Sequence, residues 1–142
     1  MLVNVYWQHI DDVPQAWGWN CALHAYQHPS TDEILYVGKA DGTTVRARWN
    51  AADKEGFWRD LEQQRGIFKH GVLVGTIGTS FRLTRQLLAD VESLLIFAME
   101  PWGNIASRSS RITRPGLVVR NFGQAWPGPQ TLQDTAQHVE FW

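Results

Sequence analysis

Two tyrosines, Tyr26 and Tyr36, stand ten residues apart across the turn-forming run His28-Pro29-Ser30-Thr31-Asp32. The second opens the stretch Tyr36-Val37-Gly38-Lys39-Ala40, and Arg46 follows it by ten residues. A glycine directly after a strand lets a ligand approach the backbone. A positioned phenol can orient or deprotonate water, and arginine offers a forked cationic donor. With Lys39 beside them, these residue types suit a phosphate site. A tyrosine pair packed in a hairpin beside a solvated arginine would leave the same trace.

Glu92 adds a carboxylate. Its neighbours three and four positions away on a helix are Leu88, Ala89, Leu95 and Ile96, all apolar. Such a carboxylate points toward the core, where it needs a cation, a hydrogen-bond network or a raised pKa. One carboxylate with waters and substrate phosphate oxygens is a usual way to hold Mg2+ or Mn2+. An ion pair with Arg46 or Lys39 would satisfy it equally.

The elements that must position these residues can be read from pattern. Met1 to Ile10 mixes β-branched and aromatic residues, as a strand does. Cys21 to Gln27 and Ile34 to Val37 form a hairpin around the turn formers. Thr43 or Thr44 caps a helix to about Ala52, with Val45 and Trp49 facing the core. Lys54 to Arg65 is a second helix, with Phe57, Trp58 and Leu61 as its stripe and Gly66 as its stop. Val72 to Ile77 is a strand, and Thr84 caps a long helix to Met99 or Glu100. Leu117 to Phe122 is a late strand, and Thr131 with Asp134 looks like the capping box of a short final helix. The result is a mixed α/β (α+β) domain with a small antiparallel sheet.

Composition bounds the reading. The chain has 142 residues, 44% of them hydrophobic, which suits one globular domain. The longest apolar run, Leu94 to Met99, is far short of the ~20 residues that span a bilayer. No Lys or Arg precedes Lys39, and Cys21 is the single cysteine. The expectation is an intracellular, cytoplasmic protein with no disulfide framework and no thiolate zinc site.

The net charge of −1 opposes a uniformly basic nucleic-acid binder, but the charge is uneven. Residues 1–38 carry Asp11, Asp12, Asp32 and Glu33 with no Lys or Arg. Residues 63–89 carry Arg65, Lys69, Arg82 and Arg85 with no acid, and residues 101–133 carry Arg108, Arg111, Arg114 and Arg120 with no acid. Brought to one face, the two basic segments attract phosphate; scattered, they only keep the protein soluble. The eight tryptophans serve either core packing or base stacking. His9, His28, His70 and His138 lack ligand spacing.

From about Ala22 to Ile105 the chain resembles the GIY-YIG nucleases. His24-Ala25-Tyr26 stands at the family's first motif and Tyr36-Val37-Gly38 at its second. Tyr36-Val37-Gly38-Lys39-Ala40 is similar to the nuclease domain of UvrC-type excision-repair proteins. The family's helix arginine falls on Arg46, its metal-binding glutamate on Glu92 and its following asparagine on Asn104. The chain differs at His24-Ala25, where the family has Gly and an aliphatic residue, and at Asn50, where it often has His or Tyr.

The resemblance implies a three-stranded antiparallel sheet flanked by helices, a core at 22–105, and extensions at 1–21 and 106–142 within a single domain. It implies metal-dependent hydrolysis of DNA phosphodiesters, with Mg2+ or Mn2+ on Glu92 and no other small-molecule cofactor. Tyr26 would be the general base, Tyr36 its positioning partner, and Arg46 the charge-neutralising group. Gly38, Lys39 and His24 would support the site, and Asn104 would hold its Glu92 end. Arg48, Arg108 and Arg111 are candidate nucleic-acid contacts, the last two within Ser107-Arg108-Ser109-Ser110-Arg111. Tyr26, Tyr36, Arg46 and Glu92 should converge on one concave face, bordered by the basic segments and away from residues 1–35. A decayed nucleic-acid- or protein-binding module on the same scaffold is the alternative.

Overall fold

In strand β2 (Cys21–Gln27), Leu23 and Ala25 belong to one side of the sheet and Ala22 and Tyr26 to the other, as the two-residue period of a strand requires. Both sides are covered, so six of its seven residues are buried. This is a computed structural model in which residues 1–104 and 114–134 are described. The other strands are β1 (Leu2–His9), β3 (Ile34–Asp41), β4 (Gly71–Gly78), β5 (Val118–Phe122) and β6 (Thr131–Gln133). The helices are α1 (Val45–Trp49), α2 (Glu55–Arg65) and α3 (Arg85–Met99), with short 3-10 turns between elements.

The α+β class holds, but the sheet has six strands in the order β3-β2-β4-β1-β5-β6 rather than three. All its pairings are antiparallel except β1 with β5, which is parallel. The antiparallel trio β3-β2-β4 lies at one end. The segment expected as an N-terminal extension supplies β1, which joins that trio to β5 and β6. Val3, Val5 and Trp7 of β1 are fully or almost fully buried, so this segment builds core.

Helix α3 lies on one face, burying Leu87, Leu88, Val91, Leu94 and Leu95 with Leu23, Ala25, Val37 and the β1 residues. Its start is set by Thr84, whose Oγ1 accepts the Leu87 N–H at 3.1 Å. The opposite face carries Ala22, Tyr26, Ala40, Val72 and Val74, with Trp17, Trp19, Trp49, Phe57 and Trp58 packed against them. Thr44 caps α1 by accepting the Ala47 N–H at 3.1 Å. Gly66 ends α2 in the left-handed region, at φ 64°, which glycine adopts without strain. Several tryptophans are plainly packing residues. Trp7 stacks on Trp126 at 4.5 Å and donates its indole N–H to Asn121 at 2.9 Å.

One local pattern misleads. Thr131 does not cap a helix: Thr131–Gln133 is β6, paired with β5. The Asp134 carboxylate accepts the Arg114 N–H at 2.6 Å, closing the connection into β5. The remainder of the expected final helix lies outside the described residues.

Candidate functional site

The β2–β3 hairpin sets Tyr26 directly opposite Tyr36 and His24 opposite Gly38. The phenol rings stack at 5.2 Å, and the His24 imidazole lies 5.5 Å from Tyr26 and 6.2 Å from Tyr36. Gly38 makes room for these rings rather than for a ligand. A Cβ there would sit 2.6 Å from His24 Cε1 and 2.8 Å from Tyr36 Cε1.

Beside Tyr36 a cavity of about 290 Å³ is lined by Tyr36, Lys39, Asp41, Thr43, Arg48, Arg85 and Glu92. It wraps around β3, the end strand of the sheet. Tyr36 and Arg48 come from the aromatic face and the first helix, while Glu92 and Arg85 come from α3 on the other face. Tyr36 and Glu92 therefore meet around a strand edge and not on one concave face. Lys39 Nζ lies 3.5 Å from a Glu92 oxygen, and Arg85 Nε donates to Asp41 at 3.0 Å. Three cations and two carboxylates thus share a polar, partly open space.

The electrostatics follow from this packing. Burial raises the pKa of Glu92, and Lys39 opposes the rise. Burial and the Glu92 charge raise that of Tyr36, against the pull of Arg48. Burial, and then the neighbouring Tyr36, raise the pKa of Tyr26 as well, so both phenols hold their protons at neutral pH. Burial and the charges of Lys54 and Arg48 hold His24 down at about 3, so its ring is neutral. Among the described residues neither ring nitrogen of His24, nor the Tyr26 hydroxyl, has a hydrogen-bond partner.

The expected residues are only partly gathered. Tyr36, Lys39 and Glu92 line the cavity. Arg46 does not: it is exposed and lies over the Trp17 ring at 4.9 Å. The arginine facing the cavity is Arg48. Tyr26, fully buried, packs behind Tyr36, and His24 is buried beneath both. Asn104 does not reach Glu92. Its amide clamps β3, with Oδ1 accepting the Val37 N–H at 2.8 Å and Nδ2 donating to the Val37 carbonyl at 2.9 Å. Arg108 and Arg111 lie outside the described residues.

Among the described residues of the basic segments, Arg85 alone lines the cavity; Arg65 pairs with Glu33 and Arg114 with Asp90. No residue of 1–35 lines it. Sequence reasoning missed Asp41, Thr43 and Lys54 as site residues, and named Arg85 only as part of a basic segment expected to border the site. Lys54 is 3% exposed, donates to the Arg48 carbonyl at 3.2 Å and lies over the Tyr36 ring at 4.9 Å. Burial among these groups lowers its pKa to about 8.

No cluster of three or more His, Cys, Asp or Glu side chains occurs among the described residues. Mg2+ or Mn2+ needs no such cluster, since one carboxylate can hold it with waters and substrate oxygens. Glu92, 20% exposed in a polar cavity with space beside it, fits that mode. No described helix is long and apolar enough to cross a membrane. Comparison with protein-family models, curated proteins and solved structures returns no match.

Proposed function

We propose that the protein is a metal-dependent DNA endonuclease of the GIY-YIG type, acting in the cytoplasm and hydrolysing phosphodiester bonds at the β3-edge cavity. The observation that carries this reading is the meeting of Tyr36, Lys39, Arg48 and Glu92 in one polar cavity. In it, strands β3-β2-β4 correspond to the family's three-stranded sheet, and β1, β5 and β6 extend it.

Each side chain then has a task. Arg48 faces the phosphoryl oxygens and neutralises the charge that develops on them. Tyr36, the phenol that reaches the cavity, accepts a hydrogen bond from the attacking water and aims it. Serving as base would require the cations around it to lower its pKa, ~10 for a free phenol, by more than burial raises it. Tyr26 braces Tyr36 from behind, which exchanges the roles assigned from sequence. Lys39 holds Glu92 in place and adds positive charge toward the substrate. Glu92 would hold Mg2+ or Mn2+, whose contribution is Lewis-acid polarisation of the scissile phosphate. Asn104 acts at a distance by fixing the β3 backbone beneath Tyr36 and Lys39.

The Lys39–Glu92 ion pair favours a second reading, a DNA-binding module on this scaffold, because it already neutralises the carboxylate. Cleavage of duplex, single-stranded and branched DNA with Mg2+ or Mn2+, beside binding in chelator, separates the two. Metal-dependent cutting supports the nuclease; binding without cutting by either metal supports the module.

A further inference from the structure

Arg48 and Trp49 are consecutive on α1, yet they line different cavities. Trp49 lines a cavity of about 260 Å³ with Asn50, Trp58, Glu62, Phe68 and His70 among its walls. Trp49, Phe68 and His70 also line an adjoining cavity of about 410 Å³, where Trp17, Lys69 and Asp11 join them. None of this is used by the chemistry proposed above.

The first cavity has a rigid aromatic frame. His70 stacks on Trp58 at 4.3 Å, and Tyr26 backs Trp58 at 5.0 Å. Trp49 donates its indole N–H to His70 Nε2 at 3.0 Å, which fixes the ring and satisfies its one polar atom. Burial lowers the His70 pKa, in keeping with this acceptor role. Phe68 stands at the junction of the two cavities with 75% of its surface exposed. Asn50 and Glu62, both exposed, supply an amide donor and acceptor and a carboxylate acceptor. Flat aromatic faces with hydrogen-bonding groups at the edge are what an unpaired nucleobase requires. The volume, under the ~300 Å³ at which drug-sized sites begin, suits one planar heterocycle.

The surroundings extend the match to a strand. Arg48 faces the phosphate cavity on one side of α1. Lys69 lines the adjoining cavity together with Asp11, and Arg46 lies over Trp17 in its wall, so that two cations against one carboxylate border the space where a sugar-phosphate chain would continue. A base within a duplex cannot enter such a cavity without leaving its stack.

We propose that the Trp49–Trp58–Phe68 cavity holds one unpaired nucleobase of the DNA whose phosphate occupies the β3-edge cavity. The substrate is then single-stranded DNA or DNA with an unpaired nucleotide beside the cut. This rests on the nuclease reading and names its substrate class.

The test is binding in chelator, by fluorescence anisotropy, of a short thymidine oligomer, the base-free sugar-phosphate oligomer of the same length, and a duplex. The thymidine strand should bind ~10-fold or more tightly than the base-free chain, the scale of one stacked base. It should also outcompete the duplex. Phe68→Ala and Asn50→Ala should each shrink that preference while leaving affinity for the base-free chain unchanged. Phe122→Ala, which removes an exposed phenylalanine on β5, should preserve it. Equal binding of the thymidine and base-free strands, a preference for duplex, or a preference that survives both cavity variants would overturn the base site and leave phosphate binding standing. Failure of all three probes to bind would overturn the nucleic-acid reading beneath it.

Discussion

Truncating the two arginines of α1 one at a time discriminates sharply between sequence position and spatial position. Arg48→Ala removes a cation that lines the cavity and pulls on both Tyr36 and Glu92. Loss of one donor to developing transition-state charge costs about 10²–10³ in kcat, or ~2.7–4 kcal/mol. The fold should tolerate the change. The Arg48–Asp53 pair is loose, at 3.6 Å with Asp53 65% exposed, and such surface pairs are worth ~0–1 kcal/mol. The Lys54 bond to the backbone carbonyl of residue 48 survives the truncation. Arg46→Ala removes an exposed cation–π contact, worth ~0.5–1 kcal/mol of stability, and a cation beside the adjoining cavity rather than at the site of cutting. Its effect on rate should stay within about fivefold. The assay is the initial rate of Mn2+-dependent cleavage for both variants, with thermal unfolding to confirm that each is folded. If Arg46→Ala loses as much rate as Arg48→Ala, or more, the assignment of the site arginine by geometry is refuted.

Other outcomes follow from the same contacts. Asn104→Ala strands two buried backbone groups of Val37 and should lower the thermal midpoint by roughly 10 °C, at ~1–3 kcal/mol per unpaired group; a shift of a degree or two would show that β3 needs no clamp. Gly38→Ala forces a Cβ into His24 and Tyr36 and should cost ~1–3 kcal/mol, with activity falling further because Tyr36 is displaced; circular-dichroism melts and cleavage rates check this. His24, held near 3, binds its proton far more weakly when folded than in the unfolded chain, whose value is 6.5. Its contribution is therefore complete above pH 6.5 and lost as pH falls toward 3. His24→Phe should flatten that acid loss in urea titrations, whereas an unchanged slope would assign it to other groups. Glu92, with its raised pKa, works in the opposite sense, so the comparison is of variant with parent.

How much was legible depends on the range of the interaction. The Tyr26–Tyr36 hairpin, the Thr44 and Thr84 caps and the Gly66 stop are local, and each stands where the residues indicate. Thr131 and Asp134 also carry a local signal, but pairing with β5 overrides it. The choice between Arg46 and Arg48 was beyond periodicity. On a helix with 100° per residue, each lies about 80° from the direction midway between Val45 and Trp49, on opposite sides. Only the side on which α1 meets β3 decides which one enters the cavity. Glu92, read from its apolar neighbours as pointing toward the core, is partly buried, but its helix covers the sheet face opposite Tyr36. The two meet because β3 ends the sheet, which no local pattern reports. Lys54 belongs to no motif, and its burial against Tyr36 emerges only when α2 packs.

The central claim is phosphodiester hydrolysis at the cavity of Tyr36, Arg48 and Glu92, and Glu92→Gln tests it most directly. The substitution keeps the shape of the side chain and removes its charge. Rates on duplex, single-stranded and branched DNA with Mn2+ are measured for parent and variant, beside affinity in chelator. The parent should cut and the variant should lose several orders of magnitude in rate, since a held divalent ion contributes several kcal/mol to the transition state. Affinity should hold or rise, because a negative charge near the phosphates has gone. A parent that binds DNA but cuts none of these substrates, or a Glu92→Gln variant that cuts as fast as the parent, would contradict the claim.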